Sequence, residues 1–154
     1  MIDFIEETPI NFEEFYKFVE SPKCGSIHTF TGSIRDCDQQ KGKVHLVSIK
    51  GIYYEAYIKM ARRQLEEMIR LLLESSDADP NALFSVCIRL GFVPVGEASI
   101  VICVSSTSRG YSHECVMKLL NNIKSSLTIW KKIIYKDSIE EWDHKSEAQW
   151  LTHK

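Results

Sequence analysis

Apolar residues recur at helical spacing in three stretches of the 154-residue chain, and alternate or cluster in short runs between them. Phe12, Phe15, Tyr16 and Val19 mark a first helix, with Asn11 as its N-cap and Glu14 three residues on. Pro22 ends it. Residues 24–35, rich in Thr, Ile, Phe and Gly, predict a strand, and residues 36–42 a polar loop. Residues 44–54 predict a second strand, with Gly51 marking a bulge. Ile58, Ala61, Leu65, Met68, Ile69 and Leu72 form the clearest amphipathic helix. A loop at 77–81 precedes strands at 83–90 and 97–105, joined by residues 91–96. A last helix carries Cys115, Val116, Leu119, Leu120 and Ile123, and residues 130–135 read as a closing strand. A helix followed by β-β-α-β-β-α-β predicts an α+β fold. One domain over residues 1–154, with helices packed on a mostly antiparallel sheet, is expected.

Charge narrows the function classes. Nineteen basic against twenty-one acidic residues give a net charge of −2, which argues against a bulk nucleic-acid binder. Any anion site must then come from a local cluster. The longest apolar run, around Ile100–Val104, is too short to span a bilayer, and the MIDFIEE start is acidic where a targeting peptide would be basic. A cytoplasmic protein without membrane or nucleic-acid partners is expected. The five cysteines (Cys24, Cys37, Cys87, Cys103, Cys115) contain no C-x-x-C pair, which fits neither a disulfide framework nor a zinc site. Cys87 and Cys103 read as core residues, and no cysteine is assigned a catalytic role. The histidines (His28, His45, His113, His144, His153) show no metal-ligand spacing, so no metal is expected.

The chemistry concentrates in basic residues. Ser105-Ser-Thr-Ser-Arg109 lies between a strand and a helix, where amides, hydroxyls and a guanidinium could receive an anion; a serine N-cap in a polar turn is the plainer reading. At the far end of that helix stands Lys124, followed seven residues later by Lys131 and then Lys132. In a strand these two point to opposite faces, so only one can share a pocket with Lys124. Clustered lysines lose proton affinity and can act as acids, bases or nucleophiles; a solvated basic edge is the alternative. Arg35, at a strand end, could serve as an oxyanion fork or be a solvated terminus, and Arg89 is similarly ambiguous. Glu55, between Tyr54 and Tyr57, is expected to be buried and structural.

Four ordered blocks carry a family resemblance. They are Phe30-Thr-Gly-Ser-Ile-Arg35, Tyr54-Glu-Ala-Tyr-Ile-Lys-Met-Ala61, Arg89-Leu-Gly-Phe-Val-Pro-Val-Gly-Glu-Ala-Ser99 and Ile123-Lys-Ser-Ser-Leu-Thr-Ile-Trp-Lys-Lys132. Together they resemble the large, catalytic subunit of molybdopterin synthase over roughly residues 24–142. The resemblance implies an α/β hammerhead-like fold, a homodimer, and a heterotetramer with two small ubiquitin-like subunits. Each small subunit ends in a Gly-Gly thiocarboxylate, whose sulfur goes to cyclic pyranopterin monophosphate to build the dithiolene of molybdopterin. It implies no metal or extra cofactor for that step. Arg35, Ser108 and Arg109 would bind substrate, Lys124 and Lys131 would line the chemistry, and Lys132 would add to binding. One pocket shared by Arg109, Lys124 and Lys131 is expected.

The chain also departs from the family's pattern. Ile88 and Ser108 stand where histidine is usual, Thr128 where proline is usual, and Ile133 where a glutamate closes W-K-K-E. A serine can donate a hydrogen bond but cannot carry a proton near neutral pH as imidazole does. Two classes of function therefore stay open: a sulfurtransferase catalytic subunit, and a catalytically impaired relative that only binds the small subunit.

Overall fold

The computed structural model describes residues 1–39, 44–137 and 139–142. In chain order the elements are β1 (Ile2–Glu6), α1 (Phe12–Val19), β2 (Ser26–Ser33), β3 (Cys37–Gln39), β4 (Leu46–Ala56) and α2 (Ile58–Leu73). They continue as β5 (Leu83–Pro94), β6 (Ala98–Ser106), α3 (Arg109–Ser126), β7 (Ile129–Tyr135) and β8 (Glu140–Trp142). The strands make one sheet in the order β2-β6-β5-β4-β7-β8, with β1 added to β5 and β3 to β4. Every pairing is antiparallel except β1 with β5. The α+β expectation holds.

Three strands escape the sequence pattern. β1 is the acidic-looking start, held by parallel pairing to Val86–Leu90. β3 lies inside the expected 36–42 loop and pairs with Leu46–Ser48, and β8 follows the expected closing strand. The expected 91–96 connection is also largely strand. β5 continues through Gly91-Phe-Val-Pro94, leaving β1 and taking β4 as neighbour. The switch falls at Gly91, whose φ of +76° glycine adopts without a steric cost.

β5 is buried on both faces because helices cover both. Val86, Ile88 and Leu90 meet α2 and α3, together with Ala61, Leu65, Leu119 and Val116. Cys87 on the other face meets Phe15 and Val19 of α1, with Val101 and Cys103 of β6. A third cluster (Ile34, Ile49, Ile52, Val93, Ile133, Tyr135) fills the β4–β7 half of the sheet. Cys87, Cys103 and Cys115 are all buried within these clusters, and all five thiols are free. Between the first cluster and the third, the sheet and the end of α3 leave a cavity.

Candidate active site

β2 forms one wall of that cavity, and its last residues are bent by sequence. The β2–β6 register shifts between Gly32 and Ser33. A Cβ on Gly32 would stand 2.7 Å from the Ile100 Cγ2, so only glycine lets the strand lie this close to β6. Beyond the bulge, Ile34 is clamped on both sides: its amide donates to the Glu97 carbonyl at 3.0 Å, and its carbonyl accepts from Gly96 at 2.8 Å. The Ile34 side chain is buried in the third cluster. Arg35, the next residue, is thereby placed at the cavity rim.

The opposite wall comes from α3 and β7. Leu120, Ile123 and Lys124 recur at helical spacing, so the apolar stripe of α3 ends in a lysine at the cavity. Strand alternation then sends Lys131 into the cavity, opposite Tyr54 of β4. Lys132 goes to the other face, where it pairs with Glu140 at 2.8 Å and lies over the rings of Tyr53 and Trp142. The hydrogen bond it donates to Glu140 raises its proton affinity. Lys132, expected to add to binding, does not line this cavity.

The cavity is about 500 Å³, the size of a small-molecule site. Ile88, Ile100, Leu120 and Ile123 give it an apolar floor, and Arg35, Lys124 and Lys131 bring three cations. Asp38 of β3 is the one carboxylate that lines it among the described residues; its Oδ1 stands 3.6 Å from Arg35 Nη2. Sequence reasoning missed Asp38 because it lies in a polar loop, although the Arg35/Asp38 spacing of three was a usable signal. Cys37 also faces the cavity. A hydrogen bond with Asp36, burial and the neighbouring carboxylates push its thiol up against a smaller pull from Arg35, and so favour the thiol over the thiolate.

The 105–109 turn is built for other work. Ser108 is the N-cap of α3, its hydroxyl accepting from the Tyr111 amide at 3.3 Å. Asp79 takes the Thr107 amide at 2.6 Å and the Thr107 hydroxyl at 2.7 Å. Ser105 is fully buried. The capped-turn reading is therefore the one observed. Arg109 opens α3 and Lys124 closes it, and fifteen residues of helix separate them by about 22 Å. Within one chain the expected single pocket does not form: Ser108 and Arg109 lie outside it.

Other expectations sort as follows. Arg89 is 4% exposed, faces the α1 side of β5, and pairs with Glu97. Glu55 is exposed, not buried as expected, because alternation turns it outward with Tyr53 while Tyr54 faces the cavity. Ile133 is buried in the third cluster, on the Lys131 face of β7 and paired with Ile52, which lines the cavity, so an apolar side chain stands there where the family's pattern has a carboxylate. Ile88, by contrast, does line the cavity. Thr128 gives its amide and hydroxyl to Gln64 Oε1 at 3.0 and 2.9 Å. His113 Nδ1 lies 3.1 Å from His28 Nε2 on the surface. Among the described residues no group of three or more His, Cys, Asp or Glu could hold a metal, and His144 and His153 lie outside those residues. No described helix is long and apolar enough to cross a membrane.

The fold is α+β, and its cavity joins three cations to an apolar floor. Comparison with known proteins gives the family: residues 5–126 match the MoaE protein family, and this chain is a member of it. It is 35% identical over 150 residues to the molybdopterin synthase catalytic subunit of Taeniopygia guttata, covering 96% of this chain and 91% of that one. The Bacillus subtilis (strain 168) molybdopterin synthase catalytic subunit is 36% identical over 138 residues, covering 90% and 82%. The crystal structure of molybdopterin synthase from Staphylococcus aureus superposes with a TM-score of 0.78 at 28% identity, covering 91% of this chain and 94% of that one. A complex of subunits 1 and 2 of the molybdopterin-converting factor from Helicobacter pylori shares the fold at a TM-score of 0.63 and 14% identity, covering 93% and 90%.

Proposed function

We propose that this chain is the catalytic subunit of a molybdopterin synthase, moving sulfur from the thiocarboxylated C-terminus of a small ubiquitin-like subunit to cyclic pyranopterin monophosphate. The observation that carries the reading is the convergence of Arg35, Lys124 and Lys131 on one 500 Å³ cavity. The reaction brings together two anions, a thiocarboxylate and a phosphate. Attack of the sulfur on the pterin side chain develops further negative charge, and opening the cyclic phosphate adds more. Cations fixed against an apolar floor stabilise that charge better than mobile water, because they need no reorganisation as it forms. Arg35 holds the phosphate; Lys124 and Lys131 flank the reacting atoms.

The small subunit needs a surface beside the cavity. A cleft of about 820 Å³ lined by Tyr57, Met60, Gln64 and Trp130 borders it. The two are divided by the segment joining α3 to β7, where Leu127, Ile129 and Lys131 turn to the cavity and Thr128 and Trp130 to the cleft. Apolar exposed residues there suit a hydrophobic subunit contact, and the short divide suits a tail reaching over it.

A homodimer, carrying two small subunits as a heterotetramer, completes the reading. Phe92, Tyr53 and Trp142 stand exposed in a row with Lys132 on one face of β5, β4, β7 and β8. No helix covers that row among the described residues. A second copy is also the route by which Ser108 and Arg109 could reach a phosphate bound in the cavity. We place the protein in the cytoplasm, where its free thiols are stable.

Ile88 in the cavity, where the resemblance implies histidine, is the observation that favours the second reading, a binding module without sulfur transfer. Reconstitution separates them. The purified chain, mixed with a thiocarboxylated small subunit and the cyclic precursor, should yield dithiolene product. Stable binding of the small subunit with no product would establish the module instead.

A further inference from the structure

Arg89 is an expensive residue with no place in the reading above. It is 4% exposed on the α1 side of β5, away from the cavity, and its Nε has no hydrogen-bond partner among the described residues. Its Nη1 donates to Glu97 Oε2, and its Nη2 reaches the Glu7 carbonyl at 3.5 Å, where Glu7 adopts a φ of +62°. A buried guanidinium held by one carboxylate is weak support for stability, since desolvation offsets much of the attraction. What the pair does fix is Glu97. That residue ends the β5–β6 turn, and its backbone carbonyl receives the Ile34 amide while Gly96 bonds the Ile34 carbonyl. Ile34 immediately precedes Arg35.

We infer that Arg89 is a positioning residue for the cavity: through Glu97 and the Ile34 clamp it fixes where Arg35 presents its guanidinium. Arg89 touches nothing in the cavity and acts only across the sheet. The fork of an arginine suits this task, because one guanidinium spans the Glu97 carboxylate and the Glu7 carbonyl together, which a lysine ammonium on a flexible stem would not hold in register. The inference rests on the reading of Arg35 as an anion ligand.

The test uses inorganic pyrophosphate as probe, titrated calorimetrically into the full chain, so that turnover is not needed. Arg89→Met, Arg89→Lys and Glu97→Gln are each made alone and with Arg35→Ala, with melting curves for all. Arg89→Met should weaken pyrophosphate binding by roughly ten- to a hundredfold, the scale of an ångström-level misplacement. Glu97→Gln should follow it, and Arg89→Lys should recover only part. In the Arg35→Ala background none of the three should weaken binding further, because the residue they position is gone. Arg89→Met that folds and binds like the parent overturns the inference. So does a loss of the same size in both backgrounds, which marks general loosening. Should Arg89→Met fail to fold, Glu97→Gln, whose side chain is 40% exposed, carries the same comparison. If Arg35→Ala alone leaves binding untouched, the phosphate role of Arg35 falls and this inference falls with it; if only the Arg89 effect is absent, the proposed function stands without it.

Discussion

Three lysines crowd the end of α3 and the start of β7, and their surroundings divide them. Lys124 and Lys131 face the cavity, while Lys132 is spent on Glu140, Tyr53 and Trp142. Lys124→Ala should cut dithiolene formation by two to three decades, about 3–4 kcal/mol of transition-state stabilisation, with unchanged circular dichroism. Lys132→Ala should be far milder on turnover. Equal activity for Lys124→Ala and the parent in the reconstituted assay would remove Lys124 from the chemistry. Asp79 offers a separate residue-scale test, of stability. The amides of Thr107 and Asn81 and the Thr107 hydroxyl hold its carboxyl below the ordinary 3.8. A depressed folded pKa contributes stability that is present above the unfolded value and lost as pH falls through the folded one. Asp79→Ala should therefore lower the urea midpoint at pH 7, and the gap should shrink steadily below about pH 4. A gap that stays constant down to pH 2 would deny the link.

The elements that form the cavity depend on close approach as much as on charge. Gly32 is the clearest case, since an added Cβ meets Ile100 at 2.7 Å and the Phe30 ring at 3.3 Å. Gly32→Ala should destabilise by about 1–3 kcal/mol through overpacking, and should weaken pyrophosphate binding by moving the wall that carries Arg35. Parent-like stability and binding would mean that β2 yields without cost. The same elements show what a sequence can and cannot carry. All three helices and the long strands were legible, because their apolar spacing reports a buried face directly. β1, β3 and β8 were not: each is short, β3 and β8 are polar, and each is a strand only through a partner elsewhere in the chain. The spacing of seven singled out Lys124 and Lys131 but suited a solvated basic edge equally, and only the family resemblance gave them a role. Asp38 and the Arg89–Glu97–Ile34 chain of contacts were not, because they arise where distant segments meet. Glu55 was misjudged from its tyrosine neighbours, when alternation along β4 alone would have turned it outward.

Scale matters most for Arg109, which the single chain holds about 22 Å along α3 from Lys124. If Arg109 binds substrate, it does so in the pocket of a second copy, and each site of the dimer is built from two chains. Mixed dimers distinguish that arrangement from an inert Arg109. Lys124→Ala and Arg109→Ala chains would be assayed singly, then co-expressed with different tags and purified as the mixed species of the proposed dimer. When Arg109 serves its partner's pocket, one site of the mixed dimer loses both residues and the other keeps both. About half the parent activity should then return, by symmetry of the two-fold assembly. When Arg109 serves its own chain, both sites carry a lesion and no activity returns. Full activity in the Arg109→Ala homodimer would show that the turn at the start of α3 is only the helix cap that its hydrogen bonds describe.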